Sequence, residues 1–181
     1  MPIHLQPTLH GRLLSLRPLR PDDFDELYAV ASDPLIWEQH PANDRYQAEV
    51  FRQFFREAIE SGGALAVIDN RDGKIIGSSR FFVYSEEKRE IEIGWTFLAR
   101  SYWGGVYNGE MKQLMLRHAF QFADAVILLV GPQNYRSRRA IEKIGGVQVG
   151  SKQEADGRTV LVYQITAATF AERASQGEGD R

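Results

Sequence analysis

The sequence predicts a single α/β domain, an α+β arrangement in which helices cover the faces of a mixed sheet. Three observations lead there. The apolar spacing is helical over residues 22–32 and 46–61 and becomes alternating over 64–98. The strand signals at 64–69, 74–84 and 89–98 are joined by short turns, which makes a meander. The apolar run at 125–130 follows 89–98 only after a helical stretch, so these two strands are linked by a strand–helix–strand crossover. The full order is β-α-α-β-β-β-α-β-α-β-β, seven strands with no internal repeat.

Each element has a local reason. Residues 1–11 form a lead-in, and 12–19 alternate as a first strand. Pro21-Asp22-Asp23 opens a helix with Asp22 as its cap, striped by Phe24, Leu27, Tyr28 and Ala31, and stopped at Asp33-Pro34. Residues 35–44 are a loop. Residues 46–61 form a second helix with Phe51, Phe54 and Phe55 on one face, ended by Gly62-Gly63. Asn70-Arg71-Asp72-Gly73 and residues 85–88 are the turns of the meander. A helix follows to about residue 122, with Met111, Leu114, Met115, His118 and Phe122 on one face; His118 on that stripe reads as a core residue. Residues 125–130 suit a buried central strand. A helix over 134–144 starts at Asn134 and ends at Gly145-Gly146. Residues 147–152 and 159–166 close as a hairpin, and 175–181 form a polar, frayed tail. The domain spans 1–181 with its core at about 12–166.

Composition narrows the function classes. The chain is 43% hydrophobic and 25% charged, ordinary for a soluble globular protein, and its formal net charge of −2 speaks against broad nucleic-acid or membrane-surface binding. It has no cysteine, which excludes disulfides, thiolate metal sites and a cysteinyl intermediate. The four histidines show no metal-ligand spacing. With no apolar run of bilayer length and no secretory segment at its start, the expectation is a cytoplasmic enzyme.

The stretch 97–110, Phe-Leu-Ala-Arg-Ser-Tyr-Trp-Gly-Gly-Val-Tyr-Asn-Gly-Glu, carries the most information. It joins a strand to a helix through Gly104, Gly105 and Gly109. Unpaired amides and the dipole at a helix start favour an anion, and glycines let it approach. Two readings follow: a phosphate cradle, or an ordinary glycine-rich connection. It is not a nucleotide P-loop, since Glu110-Met111 replaces Lys-Ser/Thr, nor a dinucleotide loop, since Val106 replaces the second glycine.

The element order, together with Glu92-Ile93-Gly94-Trp95, Tyr102-Trp103-Gly104-Gly105, Asn134-Tyr135-Arg136-Ser137 and Ala140-Ile141-Glu142-Lys143-Ile144-Gly145-Gly146, resembles the GNAT superfamily of N-acetyltransferases. The likeness covers nearly all of 12–166 and is greatest to the branch of ribosomal-protein N-terminal acetyltransferases. It implies a GNAT fold: a mostly antiparallel seven-stranded sheet whose fourth and fifth strands splay apart. It also implies acetyl-CoA as co-substrate and no metal. The pantetheine arm would lie along Trp95, Phe97 and Leu98. The pyrophosphate would sit on the loop of Trp103, Gly104, Gly105, Val106, Tyr107, Asn108 and Gly109. Asn134 and Ser137 would contact the pantetheine and the sulfur, and Arg138 and Arg139 the cofactor's phosphates, with Arg136 and Lys143 adding positive charge. The family pattern Gln/Arg-x-x-Gly-x-Gly/Ala reads Ser101, Gly104 and Val106 here. The tyrosine that many members place four residues after the serine is Ile141, which leaves Ser137 or water to protonate the thiolate.

Amide formation requires a neutral amine, hence a base. Glu92 is the first candidate and Glu154 the second; the alternative for each is a solvent-facing carboxylate. Trp37, His40, Phe81 and Tyr84, together with Trp95, are candidates for the acceptor pocket. The acceptor is a small-molecule or peptide amine, with no nucleic acid or membrane partner, and a homodimer is left open. The competing reading is a catalytically silent GNAT-fold module that binds CoA or a protein partner.

Overall fold

The alternating run near residue 90 becomes the strand on which the sheet turns. In the structure, a computed structural model describing residues 3–178, the strands are β1 (Leu9–His10), β2 (Leu14–Pro18), β3 (Ala64–Asp69), β4 (Ile75–Ser85), β5 (Glu90–Leu98), β6 (Ala125–Val130), β7 (Val147–Gln153) and β8 (Thr159–Thr166). The helices are α1 (Phe24–Ala31), α2 (Pro34–Trp37), α3 (Ala48–Glu60), α4 (Val106–Ala119), α5 (Tyr135–Lys143) and α6 (Ala167–Glu178). The sheet has eight strands in the order β1-β2-β3-β4-β5-β6-β8-β7. Among the described residues only β5 and β6 run parallel, as the crossover through α4 requires.

Several expectations change. The lead-in contributes β1, which adds an eighth strand by pairing with β2. Asp22 does not cap α1: Asp23 instead accepts the backbone N–H of Arg20 and both terminal nitrogens of Arg17. The loop after residue 34 begins with a short helix, α2, capped by Asp33 on Leu35 N. Residues 167–178 form α6, so the expected frayed tail at 175–181 is helical through 178; residues 179–181 lie outside those described.

Two cores lie on opposite faces of the sheet. Leu14, Leu16, Val67, Phe81, Ile91, Ile93, Met111 and Met115 pack beneath α4, and Ile141 of α5 joins the same cluster. Leu27, Trp37, Phe51, Phe54, Phe55 and Phe97 pack beneath α1–α3. His118 is buried in the first core, with Nε2 2.7 Å from the His4 carbonyl oxygen.

β5 supplies buried side chains to both cores, because it contains a bulge. Ser78 pairs with Phe97 but Arg80 pairs with Gly94, so two residues of β5 oppose one of β4. Trp95 takes a φ of 51°, unusual for a bulky side chain. Before the bulge, odd-numbered Ile91 and Ile93 face α4; after it, odd-numbered Phe97 faces α3. Gly77 fits β5 closely here, since a Cβ at this position would lie 2.0 Å from the Phe97 carbonyl oxygen.

Candidate active site

The two parallel strands stay together only briefly. Their register runs Glu90–Ala125, Ile91–Val126 and Glu92–Ile127, and pairing ends there although both strands continue. Beyond Glu92 the edge of β5 that faced β6 is left open, which is the expected splay. Trp95, Phe97 and Leu98 lie along this parted segment. The Leu98 carbonyl accepts the Trp103 indole N–H at 3.0 Å, so Trp103 is fastened to the strand's end.

At the far end of β5, Gly104 has a φ of 69°, where glycine is favoured, and turns the chain into α4. Gly105 is the N-cap residue and supplies no capping side chain; no acidic residue stands in the first turn. The first-turn N–H groups, including those of Val106, Tyr107 and Asn108, thus lack intrahelical acceptors. A Cβ added at Gly104, Gly105 or Gly109 would meet nothing within 4 Å, so the loop is uncrowded on the side where these glycines would carry side chains. The Val106 side chain is 63% exposed and packs against neither core. Glu110 turns away from the loop. Its carboxylate accepts the backbone N–H groups of Arg12, Leu13 and Leu14 at 3.0, 2.8 and 2.9 Å, tying the start of β2 to α4. The arrangement suits a diphosphate held by amides and the helix dipole.

On the opposite lip, Asn134 caps α5, its Oδ1 accepting Ser137 N at 3.3 Å. Ser137 is partly buried. The Arg136 guanidinium lies 3.8 Å from the Trp103 ring centroid, and the Arg136 amide donates to Gln39 Oε1. The two lips therefore meet through an arginine–indole stack. Arg138 departs from its expected role: it donates to the Pro132 carbonyl and the Tyr163 hydroxyl, which pin α5 to β8. Arg139 and Lys143 are exposed on α5. Ile141 is buried in the core.

Glu92 stands at the last paired residue before the strands part, on the face covered by α1–α3. Burial raises its pKa above the ordinary carboxylate value; Lys152 opposes the rise, Glu154 adds to it and Arg80 opposes it. Glu154 sits at the β7–β8 turn, 3.6 Å from Lys152 Nζ. The fold thus brings both candidate carboxylates into one electrostatic neighbourhood, although 62 positions separate them in sequence.

The expected acceptor wall is largely replaced. Phe81 is fully buried under α4, its ring 5.5 Å from His118. Tyr84 faces the same core and donates its hydroxyl to the Phe122 carbonyl. They share a face despite opposite parity because Val83, with a φ of 41°, interrupts the alternation. Trp37 is 2% exposed and donates its indole N–H to the Ala31 carbonyl, so it is a core residue. Its neighbour His40 lies edge-on to the Trp37 ring and beside Arg45. Burial, followed by the charges of Arg45 and Arg158, pushes its pKa down to about 3, keeping the imidazole neutral, and Nδ1 accepts the Ala42 amide. The wall on the Glu92 side is instead Phe82, Trp95 and Arg80. The Phe82 and Trp95 rings are 5.1 Å apart, and the Arg80 guanidinium lies 4.3 Å from the Trp95 centroid. Sequence reasoning missed Phe82 and Arg80; the pairing of Arg80 with Gly94 and of Phe82 with Glu92 is the signal that finds them.

Residues 13–147 match the family model for the acetyltransferase (GNAT) domain. The chain belongs to this family of acetyl-CoA-dependent N-acetyltransferases. Among solved structures, it is similar to an acetyltransferase from T. thermophilus, with 25% identity, 97% of each chain covered and a TM-score of 0.74. A GCN5-related N-acetyltransferase from Brucella melitensis shares 22% identity over 92% of this chain and 81% of that one, with a TM-score of 0.77. Mycobacterium smegmatis RimJ, solved in complex with CoA-disulfide, shares 22% identity over 94% and 95%, with a TM-score of 0.69. The last two likenesses concern the fold. Comparison with curated protein sequences gave no match. Among the described residues, no helix is long and apolar enough to cross a membrane.

Proposed function

We propose that this chain transfers the acetyl group of acetyl-CoA to the primary amine of a small molecule or peptide, by direct attack within a ternary complex. The observation that carries the reading is the placement of Glu92, a half-buried carboxylate with a raised pKa, where β5 and β6 begin to part. The open amides at the start of α4 would hold the diphosphate, and the unpaired edge of Trp95–Leu98 the pantetheine arm. Acetyl-CoA supplies an acyl carbon on a good leaving group.

Glu92 accepts the proton that makes the amine nucleophilic, directly or through one water. Its raised pKa keeps it a stronger base than an exposed glutamate. The amine nitrogen then bonds to the acyl carbon, the carbon–sulfur bond breaks, and the proton shed by the nitrogen passes to the departing thiolate through the Ser137 hydroxyl, which gives one proton and regains another, or through water. Glu154 and Lys152 set the charge around Glu92.

Calorimetry with acetyl-CoA, followed by thiol release across a panel of primary amines, tests the reading. Binding with amine-dependent release is expected. No binding at high micromolar acetyl-CoA refutes it, and binding without release from any amine favours a silent module.

A further inference from the structure

Arg80 presents an electrostatic imbalance beside Glu92. The residue is only 4% exposed, yet its Nε has no hydrogen-bond partner. Among the described residues no carboxylate forms an ion pair with it. What surrounds the guanidinium is aromatic: Trp95 at 4.3 Å and Phe54 at 5.7 Å from the ring centroids. Such rings favour the cation but cannot accept in-plane N–H groups. A buried charge without a hydrogen-bonded counter-ion is costly.

Arg45 repeats the situation from the loop ahead of α3. Its guanidinium lies over the rings of Phe54, at 4.7 Å, and Trp37, at 5.6 Å, and its one side-chain neighbour of hydrogen-bonding type is His40 Nε2 at 3.5 Å. Burial draws both arginines' pKa values down to about 10, and Arg80 and Arg158 add to the effect on Arg45. The groups facing this pair are Glu57 on α3, Asp44, Glu92 and Arg158. Arg158 is already paired with Asp156. Glu57 accepts a hydrogen bond from Gln53, and Glu92 is the proposed base.

Arg80 and Glu92 occupy diagonal positions on one face of neighbouring strands, since Arg80 pairs with Gly94 and Phe82 with Glu92. Diagonal positions of this kind lie about 7–8 Å apart, so one small molecule spans both.

We propose that the acceptor is a small primary amine carrying its own carboxylate. Its amine is presented to Glu92, and its carboxylate is received by Arg80, with Arg45 alongside. The planar donor fork of Arg80 then gains the in-plane acceptors that the rings do not supply. The same pair disfavours polyamines and other cationic acceptors relative to acids, because it adds two positive charges to the acceptor site. This inference rests on the acetyl-transfer reading for its amine, but its carboxylate site can be measured alone.

The test uses the full chain and matched pairs: a set of amino acids, their carboxamides, and diamines of similar length, with thiol release as readout. Wild-type protein is expected to favour acids over carboxamides by at least about 100-fold in kcat/KM, a size consistent with one charge-assisted bidentate contact. Arg80→Gln should reduce that ratio to near unity through KM, with acetyl-CoA affinity unchanged, and Arg45→Gln should reduce it in part. In parallel, the N-acetyl forms of the same acids should raise the thermal midpoint of wild type but not of Arg80→Gln. Equal use of acids and carboxamides, faster use of diamines, or a preference that survives Arg80→Gln overturns the proposal. If no amine is acetylated while Arg80-dependent binding of N-acetyl acids persists, the carboxylate site stands and the acetyl-transfer reading fails. Absence of both overturns the inference.

Discussion

Replacing Lys112 by methionine should make the protein more stable, by about 3 kcal/mol near neutral pH. Lys112 lies on α4 and is 6% exposed. Its ammonium donates to Thr96 Oγ1 at 2.7 Å, and that oxygen also meets Ser79 Oγ at 2.8 Å. Among the described residues no carboxylate offsets the charge, and burial lowers the pKa from 10.5 to about 7. At about 1.36 kcal/mol per pH unit, that difference corresponds to roughly 5 kcal/mol at low pH and about 4 kcal/mol at pH 7. Loss of one hydrogen bond takes back about 1 kcal/mol. The sign follows from proton binding. Between about pH 7 and 10.5 the unfolded chain holds the proton more tightly than the folded one, so wild-type stability rises with pH across that window. The advantage of Lys112→Met is therefore constant below about pH 7 and shrinks as pH climbs toward 10.5. Urea unfolding of both proteins at about pH 6, 7.5 and 9 measures it. A less stable variant, or an advantage that does not change between pH 7.5 and 9, refutes the argument.

Glu92→Gln should lose most turnover while keeping acetyl-CoA affinity. In wild type, the acid limb of the pH–rate profile should fall above the ordinary glutamate value of 4.5, because the base must be ionised and burial raises its pKa; a variant with the parent rate moves the role to Glu154. Gly105→Pro removes an amide at the start of α4 and should weaken acetyl-CoA binding at least about tenfold, the loss of one charge-assisted contact; unchanged affinity by calorimetry means the diphosphate lies elsewhere. Gly77→Ala drives a Cβ to 2.0 Å from the Phe97 carbonyl oxygen and should cost about 3 kcal/mol or more by forcing β4 from β5; a thermal midpoint equal to wild type shows that the strands give way without penalty.

Period and punctuation made most of the fold legible. The meander was marked by its turns, the crossover by its apolar run, and α5 by Asn134, whose side chain does meet Ser137 N. The open cradle was visible in Gly104 and Gly105. What escaped was parity. Alternation assigns Phe81 and Glu92 to faces only if the strands are regular, whereas Val83, Arg89 and Trp95 all take positive φ without being glycine. Nothing in a valine or tryptophan announces that, since tertiary packing imposes it. Trp37 was misassigned for a related reason: an aromatic in a loop suits a pocket wall and a core equally, and here the Ala31 carbonyl and Phe97 draw it inward. α6 follows β8 without a break, at Thr166–Ala167, and its short polar stripe gave no strong boundary. Arg80 was hidden because an isolated arginine inside an apolar strand reads as solvent-facing until its partner strand is known.

The bulge at Trp95 divides β5 into two stretches with separate duties. Upstream of it, the Glu92 side chain shares a face with Arg80 and Phe82, and Gly94 leaves room opposite Arg80; downstream, the main-chain edge is what remains available after β6 has turned away. One strand can therefore be retuned at two independent places. Substitutions at 94 or at the β4 partners Arg80 and Phe82 would alter which molecule is welcomed while leaving the base in place, and the peptide groups from 95 onward are common to every side chain that could stand there. In the proposed enzyme, a change of clientele need not cost the donor, and acceptor preference is open to redesign by editing only the first half of the strand.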